Sequence, residues 1–301
     1  MEELDLKVGR SIYMRAGFTI LLSLVITMVL QIVAGAIFAP YLQNDWILLS
    51  SILLPQYLVA MPLAYLLMRK VPAVPVDKKK LTVGIFAIVI MVCIAIMYAG
   101  NLIGTLFNLI IQLFTQNDVP QTLQNLVTGS SVWSTLVFMV ILAPIAEELF
   151  FRKLLLPRLL PFGEKPAILL SGLAFGLYHG NFSQFFYAFG LGLAFGFIFV
   201  KTGKITYTII LHMLVNLLGS VVSVAVLQSG IAIMAVYGFI MIGLAIAGVT
   251  LFFVNLKRIR MSRGLLALPK GKSAVFFNPG TVLMYIGCAV LFVLTSLPAA
   301  S

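Results

Sequence analysis

Nine stretches of this chain are apolar for long enough, or nearly so, to cross a lipid bilayer: 16–40, 46–68, 82–112, 131–160, 166–181, 183–200, 204–227, 230–256 and 281–299. A helix of about 20 apolar residues spans the hydrocarbon and satisfies its own peptide groups. The chain is therefore expected to be an all-α polytopic integral membrane helix bundle. About nine transmembrane helices are expected, with eight as the alternative count. The third stretch is long enough to break near Gly100 or Gly104, and the fifth is short, ending at Gly180 and Asn181. Composition excludes the other classes. Hydrophobic residues make up 61% and charged residues 10%, against about 25% charged in soluble domains. No soluble domain, disordered chain or disulfide-rich secreted scaffold fits, and residues 1–301 read as a single membrane domain. Cys93 and Cys288 lie inside apolar runs, where a thiol behaves as a small hydrophobe.

The net charge of +11 gains meaning from its distribution. Basic residues precede the first stretch (Lys7, Arg10, Arg15) and fill the second connection (Arg69, Lys70, Lys78, Lys79, Lys80). Others end the fourth stretch (Arg152, Lys153, Arg158, Lys165) or join the sixth to the seventh (Lys201, Lys204). The rest follow the eighth (Lys257, Arg258, Arg260, Arg263, Lys270, Lys272). If the spans alternate, all 20 fall on one side, and the opposite connections carry only Asp45 and Asp118. The positive-inside rule then places the N-terminus in the cytoplasm and the C-terminus outside. Anionic lipid headgroups are the expected partner of this charge; no nucleic-acid surface is expected. The first stretch exceeds a signal-peptide core and lacks a clear cleavage site, so a permanent helix is expected.

Few ionisable groups remain inside the bilayer. They are Glu147 and Glu148 in the fourth stretch, His179 in the fifth and His212 in the seventh. Each costs several kcal/mol in hydrocarbon, roughly 2.5–3.5 on the gentlest scale, so such groups face a protein interior or a wet cavity. Four on neighbouring helices imply one shared polar site. Glu148 and Arg152 stand four apart and share a helix face. Glu147 is rotated by about 100° from Glu148 and is free to face a cavity. Two carboxylates with different surroundings divide into an anchor and a base. Phe175 and His179 share another face, as do His212 and Asn216. An imidazole and a carboxamide on one stripe suit a developing oxyanion. The inventory suits a hydrolytic site or, alternatively, a proton- or ion-coupled transporter.

At these residues the chain resembles the CPBP family of intramembrane proteases, also called the Abi or CAAX-protease family. The family pattern EExxxR, FxxxH, HxxxN stands here as Glu147-Glu148-Leu-Phe-Phe-Arg152, Phe175-Gly-Leu-Tyr-His179 and His212-Met-Leu-Val-Asn216. The resemblance covers residues 130–220, a CPBP-like catalytic core, with 1–129 and 221–301 as accessory transmembrane helices. It implies an endopeptidase that hydrolyses a peptide bond in a membrane-embedded or lipid-anchored peptide or protein. In the scheme it suggests, Glu147 is the general base, and His179 holds the same water. His212 and Asn216 stabilise the oxyanion, and Glu148, Arg152 and Phe175 support them. The cofactor stays open between none and Zn²⁺; a zinc version would use His179, His212 and Glu147. The alternative is a non-proteolytic membrane regulator or bacteriocin self-immunity protein with the same fold. A bacterial plasma membrane, with the site reached from the cytoplasmic side, is the expected setting. The pentapeptide Gly-Leu-Ala-Phe-Gly at 172–176 and 192–196 is expected to form packing faces between the fifth and sixth stretches.

Overall fold

An apolar chain in hydrocarbon closes its peptide hydrogen bonds within helices, and helices dominate the computed structural model of this protein. It describes residues 2–116, 118–120, 122–264 and 276–296, with side chains omitted for 2–7, 122 and 123. Among these, α1 (Val8–Tyr41), α2 (Asp45–Met68) and α3 (Val83–Thr115) precede a short α4 (Thr122–Gly129). Helices α5 (Val132–Phe162), α6 (Glu164–Tyr178), α7 (Phe182–Thr202) and α8 (Ile205–Leu227) carry the residues singled out above. Helices α9 (Ile231–Arg258) and α10 (Pro279–Ser296) complete the bundle.

Eight of these helices are long and apolar enough to span a membrane. The expected span missing from this count is the fifth, α6, whose 15 residues make about 22 Å of helix, short of a hydrocarbon core of about 30 Å. Its length is tolerable because protein, not lipid, surrounds it: only Lys165 and Leu169 are exposed along it. Connectivity still alternates through it. The connections that hold the basic residues meet on one face, where Val74 N–H donates to Pro157 O at 3.0 Å and Lys79 N–H to Thr202 O at 2.8 Å. On the same face Glu164 pairs with Lys201 and accepts from Ser262 N–H. At the other end, Asp45 accepts from Ser131 N–H and Ser134 Oγ. Asn108 bonds Ser183, and Thr295 bonds the Gly180 carbonyl. Two basic residues behave differently from the expectation: Arg152 is buried among helices, and Arg158 is spent on the carbonyls of Met68 and Leu154. The side chain of Lys7, and Lys270 and Lys272, lie outside what the structure describes.

Prolines shape two of the helices, α2 once and α5 twice. Widened π-helical turns run over Pro55–Ala60, Leu136–Leu142 and Leu149–Leu155, and each ends two residues before a proline: Pro62, Pro144 and Pro157. Proline lacks an N–H, and its ring crowds the carbonyl four residues back. One extra residue in the preceding turn relieves that crowding, as in π-bulges generally. The residue before each proline then donates five back: Met61 to Gln56, Ala143 to Phe138 and Leu156 to Phe151. A fourth π turn, Leu217–Val222, has no proline. There Ser220 and Ser223 hydroxyls donate to the carbonyls of Asn216 and Gly219, four residues back, a competition that bends helices.

Glycines set the closest helix approaches. A Cβ on Gly172 would stand 3.0 Å from Leu193 N, and one on Gly192 would stand 2.9 Å from Gly172 Cα. The repeated pentapeptide is thus the α6–α7 packing face that the sequence predicts. Between α1 and α10, a Cβ on Gly17 would overlap the Gly280 backbone, and one on Gly280 the Met14 carbonyl. Gly243 on α9 has nothing within 4 Å. Alanine gains up to about 1 kcal/mol of helix propensity over glycine, but overpacking costs about 1–3 kcal/mol. Gly17→Ala is therefore expected to lower the melting temperature in detergent, and Gly243→Ala to leave it unchanged or raise it. Equal effects would contradict the packing assigned to Gly17.

Candidate active site

Glu147 and Glu148 end the regular stretch Ala143–Glu148, held between the two π turns of α5. Both carboxylates are buried, Glu148 completely. Arg152 follows one turn later, fully buried, with Nη1 3.2 Å from Glu148 Oε1. The same oxygen lies 3.1 Å from His212 Nδ1 on α8. Glu148 therefore joins α5 to α8 as well as holding Arg152. Arg152 Nη2 donates to the Gly192 carbonyl of α7 at 3.4 Å. The guanidinium carbon stands 4.3 Å from the Phe175 ring centre and 5.5 Å from that of Phe195, within the range of cation–π attraction. The same two rings flank His212, at 5.6 Å and 5.4 Å. The repeated pentapeptide thus supplies both a glycine contact and a pair of phenyl walls.

Hydrogen bonds assign the imidazole tautomers. His179 Nδ1 lies 2.8 Å from the Phe175 carbonyl, which only accepts, so in the neutral ring Nδ1 carries the hydrogen and Nε2 the lone pair. His212 Nδ1 faces the Glu148 carboxylate, leaving Nε2 directed at Glu147. His212 Nε2 and Glu147 Oε2 are 3.8 Å apart. That is too long for a hydrogen bond and short enough for one water to touch both. The His179 and His212 rings both stand against Phe175, at 5.1 Å and 5.6 Å between ring centres, so α6 brings His179 beside the site despite its short length. The side chains of Glu147 and His212 keep 12% and 6% of their surface open, so the site is not sealed.

Asn216 is placed by a backbone need. In the π turn before Pro144, Ala143 N–H goes to Phe138 O, and Pro144 has no N–H to give. The Met139 carbonyl loses its helical partner, and Asn216 Nδ2 donates to it at 2.8 Å. One Asn216 N–H is committed to this bond, so an oxyanion role falls to the other. His212 meets a similar limit: with Nδ1–H on Glu148, it donates from Nε2 only when doubly protonated. The oxyanion pairing expected from the sequence thus carries two conditions that only the structure supplies.

Sequence reasoning missed Tyr57. Its phenol, on the π turn of α2, donates to Glu147 Oε1 at 2.8 Å. A tyrosine in an apolar stretch is unremarkable by composition; its place five residues before Pro62 is the signal that was there to find. Glu147, His179 and His212, the set a zinc ion would need, do not form a ligand group: among the described residues no three His, Cys, Asp or Glu side chains are arranged to hold a metal ion.

Residues 129–218 match the family model described as type II CAAX prenyl endopeptidase Rce1-like, in agreement with the CPBP/Abi family that the motifs resemble. The match includes every candidate residue named from the sequence and covers less than half of the chain. No curated protein and no solved structure matches the chain. Removing one partner of a buried ion pair costs about 3–5 kcal/mol, because the other charge stays buried without compensation. Arg152→Ala is expected to lower the melting temperature sharply, and Glu148→Gln combined with Arg152→Met to recover most of the loss. Wild-type melting by Arg152→Ala alone would contradict the anchoring role of the pair.

Proposed function

We propose that this protein is an intramembrane endopeptidase that hydrolyses a peptide bond in a membrane-embedded or lipid-anchored peptide or protein. The match supports CAAX-type intramembrane protease activity at the level of the family. The observation that carries the reading for this chain is the approach of Glu147 Oε2 to His212 Nε2 at 3.8 Å. A carboxylate oxygen and an imidazole nitrogen stand there close enough for one water beside them to touch both.

In the proposed mechanism, Glu147 takes a proton from water held also by His179. The water oxygen attacks the peptide carbonyl and gives a tetrahedral oxyanion. The remaining Asn216 N–H and doubly protonated His212, with Glu148 behind it, stabilise that charge. Glu147 then returns its proton to the departing amine as the C–N bond breaks. Water is consumed, and a carboxylic acid and an amine leave. Glu148, Arg152 and Phe175 act by orienting the others.

The basic connections gathered on one face support a cytoplasmic N-terminus and contact with anionic lipid, and the plasma membrane is the proposed location in a bacterial host. The site is reached from that face or sideways from lipid. Loss of a general base or an oxyanion donor typically costs a factor of about 10² or more. Glu147→Ala and His179→Ala are expected to abolish the peptide products found by comparing membrane peptidomes with wild type, while both variants still insert. Full biological function in a Glu147→Ala strain would favour a non-proteolytic regulator, and unchanged peptide products would contradict the scheme.

A further inference from the structure

We infer that Tyr57 is a positioning residue for Glu147, so that the N-terminal helices are part of the catalytic apparatus rather than a scaffold beside it. This rests on the endopeptidase reading and deepens it. Tyr57 belongs to α2, outside the segment 129–218 that carries the family match. Among the described residues the phenol is the side-chain donor within hydrogen-bond distance of Glu147, at 2.8 Å on Oε1.

A carboxylate turns about a broad, two-fold terminal torsion, so its two oxygens are equivalent until something tells them apart. With Oε1 held by Tyr57, the oxygen left for water is Oε2, the one that faces His212. Held in this way, the base presents one lone-pair direction to the gap instead of several, and orientation of this kind supplies a sizeable part of a catalytic barrier.

The local backbone repeats the device that positions Arg152. Tyr57 stands five residues before Pro62, and Arg152 five before Pro157, each within the π turn that the proline imposes. Arg152 is thereby aimed at Glu148 and Tyr57 at Glu147. A second contact ties the N-terminal helices to the other side of the site. Ser23 of α1 and Tyr178, the neighbour of His179, share a buried hydrogen bond of 2.6 Å. The first two helices thus brace one group on each side of the gap.

The test uses the full chain in phosphatidylcholine–phosphatidylglycerol vesicles, with a quenched farnesylated peptide ending in Cys-aliphatic-aliphatic-X as probe. Tyr57→Phe keeps the ring and removes the donor. The expected result is a kcat lower by about tenfold, the scale of one hydrogen bond to a charged group, with KM and melting temperature unchanged. Infrared spectra supply a readout that packing does not move. The Glu147 carboxylate band, assigned by its loss in Glu147→Gln, shifts in Tyr57→Phe. Site-specific 3-fluorotyrosine at 57, which retains the donor, restores kcat. A wild-type kcat in Tyr57→Phe overturns the inference, and so does a reduced kcat with the carboxylate band unmoved. Wild-type cleavage by Glu147→Gln refutes instead the reading of Glu147 as the base on which the inference rests. The infrared comparison needs no turnover, so the two failures are told apart.

Discussion

The ion pair between Glu148 and Arg152 governs the arrangement around it. Two charges placed in a hydrocarbon-flanked interior are tolerable only together and only with further partners. Glu148 meets that demand across α5 and α8 by accepting from His212 Nδ1, and Arg152 meets it across α7 at the Gly192 carbonyl. One carboxylate oxygen therefore fixes the distance between helices, the orientation of an imidazole and the side of α5 that faces inward. Glu147 follows from this. Being the adjacent residue, it is turned away from Arg152 and toward the gap that His212 Nε2 borders. The anchor and the reactive group are sequence neighbours because the helix rotates one against the ions and the other toward the opening.

Proline sets the backbone in which this happens. A regular α5 would hold the Met139 carbonyl in an ordinary helical bond and give Asn216 nothing to satisfy. Pro144 removes that bond, and Asn216 replaces it from α8. The carboxylates lie between the two widened turns, one upstream of each of Pro144 and Pro157. The third such turn, before Pro62, carries Tyr57. Backbone irregularity in a membrane is tolerated where neighbouring helices satisfy the freed groups, as Asn216 does for the Met139 carbonyl. The α6–α7 glycines complete the arrangement by bringing Phe175 and Phe195 close enough to flank the Arg152 guanidinium and the His212 ring.

Much of this site was legible in the sequence because charge is scarce in it. Glu147, Glu148, His179 and His212 are conspicuous against apolar neighbours, and helical spacing alone predicted the Glu148–Arg152 pair that the structure contains. Other features were hidden for identifiable reasons. Arg152 looked like one more cation at a membrane surface, because position along a chain does not show that a helix end lies inside the bundle. The fifth stretch was apolar like the rest and visibly short, but only its burial shows that it is a shielded helix and not a span. Tyr57 was one of 10 tyrosines, with no periodicity to separate it. Its role depends on a proline-induced turn and on the packing of α2 against α5. The Asn216 bond to Met139 required knowing which carbonyl Pro144 orphans, which the residues do contain but helical periodicity does not reveal.

The account turns on Glu147 acting on water rather than attacking the peptide itself. Single-turnover cleavage of a membrane-anchored peptide in H₂¹⁸O, followed by mass spectrometry of both product and protein, separates the two most directly. The account predicts heavy oxygen in the new C-terminal carboxylate from the first turnover and none in the Glu147 side chain. Heavy oxygen in the Glu147 carboxylate would mean a covalent acyl intermediate on that residue, and would contradict it.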